Sequence, residues 1–138
     1  MEFWLVTNNE KVNDAYADKC DVLFVDGTDR DVMKTIRDLV HEGHSLLTHP
    51  LSGSLKPGET PFRSVLVDKS KNETVDPFSL DLIETCIQAL QKFRVRYEGL
   101  SERKLEDFRH VDLSIIESAI PTAMADRTRV VGVDRNGA

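Results

Sequence analysis

Two short blocks of branched and aromatic residues near the N-terminus constrain the fold most. They cover Glu2–Thr7 and Asp21–Val25, and polar residues follow each of them. Continuous apolar runs of this length are typical of strands covered on both faces, because half-exposed strands alternate apolar and polar residues. A helix follows the second block, since Thr28 and Asp31 have the spacing of a capping box and Gly43 supplies a stop. The pattern predicts an α/β fold.

Further strands are expected in the middle of the chain. A third is predicted at 45–48 and a fourth at 63–68, with an irregular segment rich in proline and glycine at 49–62 between them. No helix separates these two strands, so the fourth is expected to run antiparallel. Segment 8–19 is compatible with a short helix or a loop. We therefore predict a small mixed, mostly parallel sheet of about four strands flanked by helices.

Two helices are predicted in the C-terminal half. The first begins at Asp76, where Pro77 takes the first helical position, and its apolar stripe continues to Gly99. The second begins near Ser101 and continues until Pro121 disturbs it. Residues 1–125 are predicted to form a single α/β domain, with 126–138 as a short edge strand or a flexible tail.

Charge and hydropathy limit the partners of such a domain. The formal net charge is −6, which argues against a nucleic-acid partner because phosphate backbones attract basic proteins. The longest apolar runs are four residues, Phe3–Val6 and Val22–Val25, whereas a membrane span needs about 18 or more. No secretory signal is visible, so we expect a cytoplasmic protein without a membrane partner. Cys20 and Cys86 form no CxxC pattern, and neither a metal nor a cofactor is expected.

Polar residues at the strand ends indicate where a ligand would bind. In open α/β sheets, ligands occupy the crevice beyond the carboxyl ends of the strands. The loop after the third strand is locally cationic, and its prolines favour a defined shape. The sequence therefore predicts a site for a phosphate or carboxylate, unless the loop is a connector whose hydroxyls satisfy its own turns. The candidate ligand-binding residues are Asn8, Asn9, Asp26, Thr28, Thr48, His49, Ser52, Gly53, Ser54 and Lys56.

Known catalytic and phosphate-binding motifs do not account for this loop. Gly53 and Gly58 have the glycine spacing of a Walker motif, but Glu59 stands where the lysine is required. The sequence contains no GxSxG elbow and no GxGxxG after a strand. His41 and His44 lack the spacing of HExxH. The sequence assigns no catalytic residue.

The string THPLSGSLKPGETPFRS, at Thr48–Ser64, resembles the GrdX family. Leu5–Asn9 and the Asp76–Phe93 helix are also similar to that family. Its members are small proteins encoded beside the genes of glycine, sarcosine and betaine reductase. The resemblance implies an accessory protein of such a reductase system, without implying a reaction. Because that system produces acetyl phosphate from glycine, the resemblance is compatible with an anion-binding loop.

Three functions follow from these observations. The first is an accessory protein that binds a small anionic metabolite in the crevice. The second is an enzyme in which His49 acts as acid or base and Lys56 holds the substrate charge. The third is an interaction module that docks on a reductase subunit through the last helix. We take the first as the leading hypothesis.

Overall fold

The computed structural model describes residues 2–51, 53 and 55–133. These residues form four strands and four helices. In chain order they are β1 (Phe3–Thr7), α1 (Glu10–Tyr16), β2 (Asp21–Phe24), α2 (Asp29–His41), β3 (His44–Leu46), β4 (Ser64–Lys71), α3 (Pro77–Lys92) and α4 (Glu102–Ala125). The segment that the sequence left open, 8–19, thus contains a helix.

The strands form one mixed sheet with the order β2-β1-β4-β3. β1 and β2 are parallel, with Trp4 opposite Asp21, while β4 is antiparallel to both of its neighbours. β1, β2 and β3 therefore run in the same direction, as predicted for an α/β fold with an antiparallel fourth strand. Two of the three strand pairs are nevertheless antiparallel, because β4 lies between β1 and β3.

Helices cover both faces of the sheet. Along β1, Val6 packs in the core shared with α2 and α3, whereas Phe3 and Leu5 pack in the core shared with α1 and α4. Both faces of this strand are buried, which explains its continuous apolar sequence. The first core also contains Val32, Met33, Ile36, Val65, Ile83 and Leu90, and the second contains Val12, Leu47, Leu66, Ile116 and Ala123.

The capping box of α2 is present as predicted. The Thr28 hydroxyl accepts a hydrogen bond from the Asp31 amide at 3.3 Å, and the Asp31 carboxylate accepts one from the Thr28 amide at 2.8 Å. Gly43 follows the helix with a φ of 111°, a conformation that favours glycine. These local interactions fix where β2 ends and α2 begins.

α3 is shorter than predicted. It ends at Lys92 rather than near Gly99, because Phe93 has an extended backbone. Residues 48–64 lead from the end of β3 to the first residue of β4, and we call them the 48–64 loop. The amide of Arg96 donates to the carbonyl of Gly58 at 2.8 Å, so the residues after the helix pair with this loop instead of continuing the helix. The apolar periodicity that runs on beyond Lys92 therefore misplaces the helix end.

α4 is longer than predicted. Pro121 lies inside it, and the helix continues to Ala125. Proline removes one backbone donor, but Ala123, two residues further on, is fully buried against the sheet. Packing of this last turn offsets the missing hydrogen bond.

Residues that follow α4 contact the sheet edge. The amide of His49 donates to the carbonyl of Val131 at 2.7 Å, and the amide of Val131 donates to Leu47 at 2.9 Å. Arg127 forms an ion pair with Asp68 at 2.9 Å and another with Glu2. The remainder of the predicted tail, 134–138, lies outside the described residues.

Candidate functional site

The ends of several strands meet at one edge of the sheet, which we call the carboxyl edge. The carboxyl ends of β1, β2 and β3 lie there, and so does the first residue of the antiparallel β4. The polar residues that follow β1, β2 and β3, which the sequence predicts to form a site, therefore share an edge. Because β4 lies between β1 and β3, this topology also brings Arg63, just before β4, to the same place.

Asn8 connects three segments at the carboxyl edge. Its side-chain amide donates to the carbonyls of Gly27 at 3.1 Å and Pro61 at 2.7 Å. Its carbonyl oxygen accepts from the amide of Arg63 at 3.0 Å. The side chain is only 8% exposed, and its amide and carbonyl groups are already used within the protein.

Three other predicted ligand-binding residues also make internal hydrogen bonds. Asn9 caps α1 by accepting from Lys11 and is fully buried. The hydroxyl of Thr48 accepts from the amide of Leu66 at 2.9 Å. Thr28 caps α2 and is exposed. These side chains shape the edge and hold its loops in place.

The remaining predicted residues differ in accessibility. His49 is half-buried, whereas Asp26, Gly53 and Lys56 are exposed. Gly53 has a φ of 115°, and a Cβ added there would lie 2.6 Å from Cδ1 of Ile115. Ser52 and Ser54 lie outside the described residues.

Arg63 is the cation at the centre of this edge. Its side chain is 4% exposed, and its Nε and Nη2 atoms have no hydrogen-bond acceptor among the described residues. Burial lowers the pKa of Arg63, and the nearby carboxyl groups of Asp112 and Asp29 oppose that change. Since buried charged groups are normally hydrogen-bonded, a buried guanidinium with free N–H groups marks a place where an acceptor fits.

A hydrogen-bonded network adjoins Arg63 on the α4 side. The hydroxyls of Thr7 and Ser64 lie 2.7 Å apart, and Ser64 donates to the carboxyl group of Asp112 at 2.7 Å. Asn9 donates to the same carboxyl oxygen at 3.0 Å. Burial raises the pKa of Asp112, whereas the hydrogen bonds from Ser64 and Asn9 and the charge of Arg63 act against this rise.

A second buried acid lies on the α2 side. Asp29 is 0% exposed; its Oδ1 accepts from the Tyr97 hydroxyl at 2.8 Å, and its Oδ2 has no partner among the described residues. Burial raises the pKa of Asp29, and Tyr97, Arg30 and Arg63 oppose the rise. Burial and the bond to Asp29 raise the pKa of Tyr97 to about 12. Arg63 is thus attracted to one carboxyl group from each helix layer.

A small cavity adjoins Arg63 beneath the loop. Its volume is about 10 Å³, which is room for a single water molecule. Loop residues close it on one side, and side chains of β4 and α4 close it on the other. Its lining consists of His49, Pro50, Leu55, Thr60, Phe62, Arg63, Ser64, Asp112 and Ile115.

Comparison with known proteins assigns the chain to a family. The family model described as GrdX-like protein matches residues 4–121, which include β1 to β4, α3 and most of α4. The chain belongs to the GrdX-like family. Membership suggests an association with glycine-reductase-type systems. No curated protein and no solved structure shows a significant match to the chain.

Sequence reasoning missed three residues of the carboxyl edge of this GrdX-like chain. Arg63 lies in the string that carries the family resemblance, where the sequence shows it only as one positive charge among several. Asp112 lies one helical turn before the buried Ile116, so helical spacing places both on the inner line of α4, the side that packs against the sheet. This spacing could have indicated that Asp112 is buried. Asp29 had no comparable signal, because acids in the first turn of a helix are common.

Reactive thiols, metal centres and membrane spans find less support among the described residues. Burial raises the pKa of the Cys86 thiol to about 11 and also raises that of Cys20, which disfavours a reactive thiolate at either position. Within the described ranges, no three potential ligands are placed to hold a metal ion. Across the same residues, no helix combines the length and the hydropathy that a membrane span requires.

His49 should make stability depend on pH. Burial and the neighbouring charge of Arg63 lower the pKa of His49, while Nδ1 accepts a hydrogen bond from the amide of Leu51 at 3.0 Å. At pH values between the lowered pKa of His49 in the folded chain and its ordinary pKa in the unfolded chain, the unfolded chain therefore binds more protons. The stabilisation due to neutral His49 should be present above the unfolded pKa of about 6.5 and lost as the pH falls through the folded pKa.

Urea unfolding at several pH values checks this prediction. His49→Gln should flatten the fall in unfolding free energy between about pH 7 and pH 5. His110→Gln, at an exposed position of α4, is the matched control and should leave the slope as it is. Equal slopes for both variants would show that His49 titrates alike in the folded and unfolded chains.

Proposed function

We propose that this chain is an accessory protein of a glycine-reductase-type system that binds a small anion at the carboxyl edge, under the 48–64 loop. Family membership supports the association with such a system. One observation carries the binding proposal: the guanidinium of Arg63 is buried, and its Nε and Nη2 groups lack acceptors among the described residues. The ligand is a carboxylate or a phosphate, because either group can accept two hydrogen bonds from the edge of a guanidinium.

Internal partners do not replace such a ligand. No ion pair in the described part of the chain includes Arg63, although the carboxyl groups of Asp112 and Asp29 act on it from a greater distance. Taking a guanidinium out of water without new hydrogen bonds costs several kcal/mol, as a rough figure. An anion at Nε and Nη2 would recover part of that cost. A buried water molecule is the competing account, since the cavity has room for one.

The surroundings favour an anion with a single charge. Asp29 and Asp112 already place two carboxyl groups near Arg63, so each further negative charge meets repulsion. Among the described residues of the loop, half-buried His49 and the exposed Gly53 and Lys56 remain available from the predicted site. An oxyanion exceeds the volume of the cavity, so its binding would move the loop outward from Arg63.

Thermal unfolding with different anions tests the proposal. Acetate, phosphate and acetyl phosphate are compared with chloride at matched ionic strength. A ligand at 100 times its Kd adds about 2.7 kcal/mol to the unfolding free energy, which is several degrees in Tm for a domain of this size. Arg63→Met should abolish this gain. Arg103→Met, at an exposed position of α4, should retain it.

A second measurement keeps the test valid if Arg63→Met folds poorly. The charge of Arg63 lowers the pKa of His49, so an anion bound at Arg63 should raise the His49 pKa again. Titration of the His49 imidazole signal by NMR, with and without phosphate or acetate, reports this directly. An unchanged His49 pKa together with an unchanged Tm would assign Arg63 to a hydrated structural role and overturn the binding proposal.

A further inference from the structure

A second concave surface lies between α2 and α3, on the face of the sheet opposite α1 and α4. Its volume is about 300 Å³, at the lower end of the range of ligand sites. Room of this size accepts a few side chains rather than a large cofactor. The lining residues are Arg30, Met33, Lys34, Arg37, Ile87, Leu90 and Gln91, and we call this surface the α2/α3 groove.

One wall of the groove is cationic. Arg30, Lys34 and Arg37 follow one another at helical spacing along α2, and no carboxyl group is among the lining residues. Arg30 is held in position, since its Nη2 donates to the carbonyl of Leu90 at 2.7 Å. No described ion pair includes Lys34 or Arg37. A positive wall on a chain of net charge −6 is a local feature that a negatively charged partner would complement, although Lys34 also interacts with Asp31 on the same helix.

The floor of the groove is apolar but mostly closed. Met33 and Leu90 are each 1% exposed and form its buried base, so the accessible apolar side chain is that of the half-buried Ile87, which packs against the same core. A surface that joins an apolar floor to a cationic wall matches a helix with apolar residues on one face and acids on the next. A nucleic acid would match the cations alone, and the net negative charge of the chain disfavours it.

We propose that the α2/α3 groove binds an acidic amphipathic segment of a partner protein. Apolar side chains of that segment contact Ile87, and its carboxylates meet the cations of α2. The proposal is independent of the anion site, because the groove shares no lining residue with the cavity at Arg63. It also differs from docking through the last helix, since α4 contributes nothing to this groove.

Fluorescence anisotropy with the intact chain tests the proposal. The probe is a labelled synthetic helical peptide with leucines on one face and glutamates on the adjoining face. It should bind saturably and more weakly as salt is added. Lys34→Glu combined with Arg37→Glu should weaken binding by at least about tenfold, because like charges then face each other. Ile87→Ser should weaken it at low and high salt alike.

Controls separate the groove from charge in general. Arg103→Glu with Lys104→Glu makes the same charge change at exposed positions of α4 and should leave the affinity unchanged. A peptide of the same composition with its leucines scattered should bind at least about tenfold more weakly. Equal binding of the scattered peptide, equal loss in both double variants, or tighter binding of single-stranded DNA would each overturn the proposal. Circular dichroism confirms that each variant is folded.

Discussion

Asp112→Ala should lower the free energy of unfolding by about 3 to 5 kcal/mol, the range found when one partner of a buried charged group is removed. Asp112 is 6% exposed and accepts hydrogen bonds from Ser64 and Asn9. The substitution leaves both donors without their acceptor and opens space beneath β4. It also takes one of the two nearby carboxyl groups away from the buried Arg63. Urea unfolding at neutral pH measures the change.

Asp107→Ala is the matched control, because Asp107 is an exposed acid on the same helix. It should change the unfolding free energy by no more than about 0.5 kcal/mol. Asp112→Asn separates charge from shape, since its amide oxygen can still accept from Ser64, and it should cost less than Asp112→Ala. A cost for Asp112→Ala as small as that for Asp107→Ala would show that the buried network contributes nothing to stability.

Asp112→Asn also connects stability with the proposed anion site. Removing a negative charge beside Arg63 leaves the guanidinium more attractive to an anion, so the stabilisation by phosphate or acetate should increase. A variant that is less stable without ligand and gains more from ligand is difficult to explain by general loosening of the fold. The sign of this second effect therefore bears on the proposed function.

Most of the fold could be predicted because its signals are local. The apolar blocks predict the strands β1 and β2, and the spacing of Thr28 and Asp31 predicts the capping box, and the structure contains all three. The prediction that both strands are buried on both faces is correct for β1 and wrong for β2, because β2 is an edge strand with exposed and half-buried residues. The ends of α3 and α4 depend on distant contacts. The bond from Arg96 to Gly58 ends the regular structure after α3, and burial of Ala123 carries α4 past its proline. The apolar periodicity of the two helices cannot predict either contact.

The inner line of α4 illustrates a second limit. The apolar stripe of this helix includes Val111, Ile115 and Ile116, but Val111 and Ile115 are only half-buried. The buried positions of the helix are Asp112, Ile116 and Ala123. A buried acid is stable there because Ser64 and Asn9 donate hydrogen bonds to it. The spacing from Ile116 indicates that Asp112 faces inward, but hydropathy alone predicts an apolar residue there, because the two donors belong to other segments.

The place of the proposed site was easier to predict than its residues. The rule that ligands bind at the carboxyl ends of strands places Asn8, Thr48 and His49 at one edge of the sheet, and the structure brings these residues to that edge. It does not consider residues before an antiparallel strand, and Arg63 is such a residue. The Asn8 amide and the Thr48 hydroxyl, on which the prediction depended, bond the backbone, whereas Nε and Nη2 of Arg63 have no acceptor among the described residues.

Asn8→Ala should lower the free energy of unfolding by about 3 kcal/mol, because it leaves three backbone groups without partners and one of them, the amide of Arg63, lies in a buried hydrogen bond. Asn8 donates to the carbonyls of Gly27 and Pro61 and accepts from the amide of Arg63. These bonds join the turn before α2, the end of the 48–64 loop and the start of β4. Urea unfolding measures the loss, and faster hydrogen exchange at Arg63 should accompany it.

Asn72→Ala is the matched control. Asn72 also donates two hydrogen bonds, to Gly43 at 3.0 Å and Ser45 at 2.8 Å, but it is exposed, so water can replace them. Asn72→Ala should therefore lower the free energy of unfolding by no more than about 1 kcal/mol. A large difference between the two variants assigns Asn8 to holding the carboxyl edge together. Equal costs would instead mean that the strands alone hold this edge, leaving the Asn8 amide available to a ligand, as its position at the strand end first suggested.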